Sequence, residues 1–221
     1  MKKYIIRPLL FFIVVLSLSG CASFVHDYKY LEGTDSKIGV VLCHGRGFSR
    51  ENVIAPLRKG INQHLGYHTI SIAMPNKNKN WKDYVDDFPD AYDGIEAAIS
   101  YLRDEKSVTT VYLMGHSMGS RMATAFLATH KDTGIAGFIG VGIRNGGGEL
   151  LDSNKNLRNV SIPVIDVFGT GGIDERHARK RADMVSARYK QVVIEGANHG
   201  FTDHTDKLIA VVVDWLKKRQ Q

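Results

Sequence analysis

The stretch VYLMGHSMGSRMA, residues 111–123, sets Ser117 between Gly115 and Gly119 where an apolar run gives way to a helix-period segment. A strand that turns at once into a helix leaves no room for side chains two residues either side of the turn, and it presents the turn residue at the sheet edge. The helix N-terminus then aims free N–H groups and the positive end of its dipole at negative charge developing beside the serine. Such a hydroxyl is a nucleophile if a base can take its proton. His199, in the glycine-containing loop of EGANHGFTDH between the last strand and the last helix, can be that base. Asp174, after the glycine-rich turn in VFGTGGIDERH, can orient the imidazole.

An acyl-transfer reading also needs two converging N–H groups for a tetrahedral oxyanion. Met118 follows the nucleophile directly, and Arg46 lies in the glycine-flanked loop His44-Gly45-Arg46-Gly47, so their backbone N–H groups are the expected donors. His44 reads as structural. His204 competes with His199 but falls where the final helix starts, as a surface or capping residue. His26, His64, His68, His116, His130 and His177 lack the placement of His199, and none has metal-ligand spacing, so no metal site is expected.

The elements that must position these residues follow from alternation of short apolar runs with helix-period segments from Lys37 onward. Strands are expected at 38–45, 68–75, 108–115, 135–143, 161–169 and 191–196. Ser49 is a candidate N-cap for a helix carrying Ile54, Leu57, Ile61 and Leu65. Further helices are expected over 92–105, from 118 to about 130, around 175–188, and at the C-terminus. The last buries Leu208, Val211, Val212, Trp215 and Leu216, with Lys217, Lys218 and Arg219 where the dipole favours cations. The polar stretch 76–84 reads as a surface loop. Six strands with intervening helices predict one α/β domain, a mostly parallel sheet covered on both faces.

On Gly115-His116-Ser117-Met118-Gly119, the glycine loop at 44–47 and the order Ser117, Asp174, His199, the chain resembles the α/β-hydrolase superfamily in its small esterase, lipase and dienelactone-hydrolase-like form, over roughly residues 37–219. The resemblance implies a Ser-His-Asp triad, an oxyanion hole and no cofactor. Three departures stand out. The turn G-T-G-G-I-D is longer than the family's G-x-x-D, which leaves Glu175 and Asp166 as rivals to Asp174. Little remains of the family's first strand pair. The cysteine nucleophile of the dienelactone hydrolases themselves is absent from this elbow. The segment 144–160, where the family often inserts a cap, is a modest polar loop, so no large cap domain is expected and the site should be open, bordered by that loop and the one containing Trp81.

The N-terminus is set apart. Lys2, Lys3 and Arg7 precede unbroken hydrocarbon from Leu9 to Leu16, which reads as an export signal. Leu18-Ser19-Gly20-Cys21 resembles the lipobox of bacterial lipoprotein precursors. That resemblance implies a signal peptide at 1–20, a lipidated Cys21 heading a tether at 21–36, and a hydrolase domain at 37–221; Ala22 then favours the outer membrane, facing the periplasm. The only other cysteine, Cys43, lies in an apolar strand, so no intrachain disulfide is expected. Of 29 basic and 23 acidic residues, three basic ones lie in the leader, and the remaining excess of three is too small to argue for nucleic acid. Nothing in the sequence sets an oligomeric state. The expected function is a lipid-anchored serine hydrolase acting on a small-molecule or lipid ester, or a thioester. The alternatives are a lysophospholipase or acylglycerol hydrolase, and a non-catalytic envelope lipoprotein that keeps the scaffold.

Overall fold

A computed structural model describes residues 28–219, apart from 35, 48 and 76–79. The expected signal peptide and Cys21 lie outside the described residues. Among the described residues no helix is long and apolar enough to cross a membrane.

Among the described residues seven strands form one sheet: β1 (Lys29–Leu31), β2 (Ile38–Cys43), β3 (His68–Ile72), β4 (Thr110–His116), β5 (Ile135–Val141), β6 (Val164–Gly169) and β7 (Tyr189–Ile194). Their spatial order is β1-β3-β2-β4-β5-β6-β7. All neighbours are parallel except β1, which runs antiparallel to β3 with Tyr30 opposite Ile70. The helices are α1 (Ala55–Leu65), α2 (Phe88–Ser100), α3 (Met118–Thr129), α4 (Ser153–Arg158), α5 (Ile173–Arg179) and α6 (Thr205–Lys217).

The near-continuous apolar strands reflect a sheet buried on both faces. Along β2, Val40 and Leu42 pack with Leu57 and Ile61 of α1 and Leu208, Trp215 and Leu216 of α6. Val41 and Cys43 point the other way, toward Ile95 and Ala98 of α2 and Met122 and Phe126 of α3. The period of two that sends alternate side chains to opposite faces thus builds two cores from one strand. Central β4 splits the same way, with Leu113 in the α2–α3 core and Tyr112 and Met114 in the α1–α6 core.

Several details depart from the sequence expectations. The sheet has seven strands rather than six, because β1 falls within the segment read as a tether. Three residues carry too short a pattern to be read as a strand; β1 exists because the free edge of β3 pairs with it and the Tyr30 hydroxyl hydrogen-bonds His68 Nδ1 at 2.6 Å. Ser49 does not cap its helix: its side chain makes no cap hydrogen bond, and a π-helical turn, Arg50–Ile54, leads into α1. The stretch after residue 80 begins as a 3-10 turn, Trp81–Asp87, that runs directly into α2. The connector after β5 holds α4, capped by Asp152, whose Oδ1 accepts from the N–H groups of Asn154 and Lys155. The charged helix at 175–188 is shorter, α5 followed by a 3-10 turn, Ala182–Met184.

Candidate active site

The turn from β4 to α3 puts Ser117 at φ 55°, ψ −116°, a region that costs a non-glycine residue about 1–3 kcal/mol. The two glycines are demanded by close approach: a Cβ on Gly115 would lie 2.7 Å from the Ser120 Cα, and one on Gly119 would lie 2.3 Å from the Cys43 carbonyl oxygen. The elbow is thereby pressed against the end of β2. Ser117 is half-buried and reachable, and Met118 N–H heads α3 among the helix's unpaired donors.

The loop after β7 carries His199 back to this edge. His199 Nε2 lies 2.9 Å from Ser117 Oγ, and His199 Nδ1 lies 2.5 Å from Asp174 Oδ2. Asp174 opens α5 beyond β6 and is 4% exposed, so its charge needs partners. Burial pushes its pKa up, but hydrogen bonds and charges from His199 and Arg144 outweigh burial and hold the carboxyl below the usual aspartate value. Arg144 Nε donates to Asp174 Oδ1 at 2.9 Å, so each carboxylate oxygen has its own donor. An ionised Asp174 requires the His199 proton on Nδ1, which leaves Nε2 as the acceptor for the Ser117 hydroxyl.

The two loops expected to border the site meet. Arg121, one turn into α3, donates from Nη1 to the carbonyls of Gly146 and Leu151 and from Nη2 to that of Asn145. Its guanidinium lies 4.8 Å from the centre of the Trp81 ring. A Cβ on Gly147 would press to 2.4 Å from that ring, so the connector packs directly on Trp81. Arg46 sits in the loop after β2, its guanidinium 5.8 Å from the Tyr84 ring centre. Burial, then repulsion from Arg144 and Arg46, lowers the Arg121 pKa to about 10.

The sequence matches the family described as alpha/beta hydrolase fold over residues 39–168, more than half of the chain. The chain belongs to that family. The hydrolase fold recurs in solved structures of low identity. Est1E from Butyrivibrio proteoclasticus aligns over 87% of this chain and 93% of its own at 15% identity, with a TM-score of 0.67. A dienelactone hydrolase from Anabaena variabilis aligns over 86% and 90% at 17% identity and 0.68. A serine hydrolase without a lid from Xanthomonas campestris aligns over 87% and 88% at 13% identity and 0.64. At these identities the likeness is one of fold. A search of curated proteins finds no match.

Within this hydrolase fold the rival acids have other partners. Glu175 accepts from Gly171 N–H at 2.6 Å and pairs with Arg179 at 2.7 Å, bracing the start of α5. Asp166 lies in β6, fully buried with Arg181, Tyr189 and Gln191. Of the three carboxylates, Asp174 is the one that meets His199. His44 Nδ1 hydrogen-bonds the Gly45 carbonyl at 2.7 Å, and its Nε2 accepts from Met74 N–H at 3.0 Å, fastening the chain just after β3 to the glycine loop after β2. His204 stands at the start of α6, its Nδ1 3.0 Å from the Thr202 carbonyl. Cys43 is fully buried and its thiol pKa is pushed up by burial, which suppresses the reactive thiolate. Among the described residues no group of three His, Cys, Asp or Glu side chains could hold a metal ion. Sequence reasoning missed Arg144, Ser49 and His116. Each acts through a partner 30 to 83 positions away, and such pairs leave no periodic trace.

Proposed function

We propose that the chain is a lipid-anchored serine hydrolase that cleaves a carboxylic ester or thioester through an acyl-enzyme. The observation that carries this reading is the continuous hydrogen-bond path from Asp174 through His199 to Ser117 Oγ, at the helix N-terminus of a glycine-flanked elbow. Ser117 Oγ attacks the carbonyl carbon while His199 Nε2 takes its proton. The carbonyl oxygen becomes an oxyanion held by the backbone N–H groups of Met118 and Arg46. His199 then delivers the proton to the departing alkoxide or thiolate, leaving Ser117 acylated. Water repeats the sequence and frees the acid. Asp174 stabilises the imidazolium in both halves, and Arg144 keeps that carboxylate ionised and oriented.

The serine hydrolases among the similar folds support this chemistry by analogy. Lipid anchoring rests on the lipobox-like sequence ending at Cys21, with an envelope, outer-membrane location as its consequence. The test uses the full-length chain in detergent. Wild type should react with a fluorophosphonate probe and hydrolyse short p-nitrophenyl esters, while Ser117→Ala should lose both and His199→Ala should be much weakened. A folded wild type that neither reacts nor hydrolyses would leave the scaffold as a binding partner only. Palmitate incorporation lost in Cys21→Ala tests the anchor.

A further inference from the structure

The residue just before the nucleophile, His116, ends β4 with a side chain 2% exposed. Its ring sits between two loops. Gly45 N–H donates to Ser49 Oγ at 2.8 Å, Ser49 Oγ lies 2.6 Å from His116 Nδ1, and His116 Nε2 lies 2.9 Å from the His199 carbonyl oxygen. The proton positions follow from the ends of this chain. The His199 carbonyl can only accept, so His116 Nε2 carries a proton; with the buried ring neutral, Nδ1 is bare, and the Ser49 hydroxyl, which accepts from Gly45 N–H, donates to it. The His116 ring lies 4.8 Å from that of His199, centre to centre, at 33°. Burial, then the neighbouring His199 charge, lowers its pKa to about 3, so it adds no charge beside the imidazolium that His199 becomes.

We propose, building on the serine-hydrolase reading, that His116 is a positioning residue: it fixes the backbone of His199 through Nε2 and the loop bearing Arg46 through Ser49, so that base, nucleophile and oxyanion donor are held in one register. An apolar residue would fill the same space but would leave the His199 carbonyl and the Ser49 hydroxyl without these partners. The arrangement explains why Ser49, a capping residue by type and position, makes no cap: its hydroxyl is engaged by Gly45 and His116. It also gives the variable second position of the Gly-x-Ser string a chemical requirement, one acceptor and one donor at opposite sides of a ring. The residue acts through His199, since a displacement of about 1 Å in a reacting group can cost about a hundredfold in rate.

Two variants separate the two links. Asparagine can place Oδ1 near the position of Nδ1 and keep Ser49, but it is too short to reach the His199 carbonyl. Glutamine can place Nε2–H near the position of the histidine Nε2 and restore that bond. In full-length protein titrated with fluorophosphonate, His116→Asn should lower kcat on p-nitrophenyl acetate about 30-fold or more with KM within about threefold. His116→Gln should recover kcat to within about fivefold of wild type. Ser49→Ala should fall between, and the Ser49→Ala/His116→Asn pair should lose far less than the product of the single effects, as for residues acting in one network. A purely structural role predicts rates that follow melting temperature alone. Equal kcat in the Asn and Gln variants, or multiplicative losses in the pair, would overturn the proposal. If His116→Asn does not fold, Ser49→Ala and His116→Gln carry the test, and Ser49→Ala at the wild-type rate refutes it. A wild type that labels at Ser117 while these variants fail the pattern removes only the role of His116; an unlabelled wild type removes the hydrolase reading as well.

Discussion

Replacing Arg181 with methionine tests whether Asp166 is a structural acid, as its surroundings dictate. Both side chains are 0% exposed. Arg181 Nε and Nη2 approach Asp166 Oδ2 at 3.1 and 2.9 Å, and Nη2 also reaches Oδ1 at 3.1 Å. Tyr189 and Gln191 add one neutral donor each, at 2.9 and 3.1 Å. Arg181→Met removes the only positive partner in that set and leaves a buried carboxylate with two neutral donors. Breaking a buried pair from one side costs about 3–5 kcal/mol, a large share of the roughly 5–15 kcal/mol that stabilises a domain. For a chain of this length that lowers the melting temperature by about 6–20 °C. Adding Asp166→Asn to Arg181→Met removes the stranded charge and should recover a good part of the loss. Urea unfolding followed by circular dichroism gives the stabilities, and fluorophosphonate labelling well below the transition shows whether Ser117 still reacts. Stability of Arg181→Met within about 1 kcal/mol of wild type would refute the energetic argument. Loss of labelling in a folded Asp166→Asn would refute the assignment of Asp174 as the triad acid.

Asp174→Asn should lower kcat about ten-thousandfold by releasing the tautomer that makes Nε2 an acceptor, whereas Glu175→Gln, which loosens only the start of α5, should stay within a few-fold; esterase kinetics on both variants decide. Gly119→Ala forces a methyl to 2.3 Å from the Cys43 carbonyl oxygen, so it should abolish Ser117 labelling and destabilise the fold by about 1–3 kcal/mol, both read from one purified sample. His177 accepts from Asn145 N–H, and burial with the charges of Arg121, Arg181 and Arg144 lowers its pKa to about 4, against about 6.5 unfolded. The unfolded chain binds more protons between those values, so the stabilisation is complete above about pH 6.5 and is lost as pH falls toward 4. A urea midpoint measured against pH should show that limb, and His177→Gln should flatten it; an unchanged limb would contradict the assignment.

Much of the architecture was legible because it rests on local pattern. Short apolar runs alternate with amphipathic segments, and that alternation requires a parallel sheet with two covered faces whatever the details of packing. Strand β1 and helix α4 escaped because each is short and is stabilised by neighbours: β1 by the edge of β3, and α4 by its Asp152 cap and by packing against α3. Ser49 misled because type and position mark it as a cap, while the hydrogen bond it makes is to His116, 67 positions away.

The amino-acid sequence by itself marked Ser117 as the candidate nucleophile and His199 as the candidate base, since a glycine at two residues on either side of a serine and a histidine after the last strand express backbone and sheet-edge constraints that act over a few residues. It could narrow the acid only to Asp174, Asp166 and Glu175. Tertiary structure separates these by contact, because which carboxylate meets an imidazole depends on where separate loops return to the sheet edge. Asp166 points into the core to neutralise Arg181, Glu175 folds back on its own helix, and Asp174 reaches His199 with Arg144 behind it. The tie through His116 was decided in the same way, by three loops that converge only when the sheet is assembled.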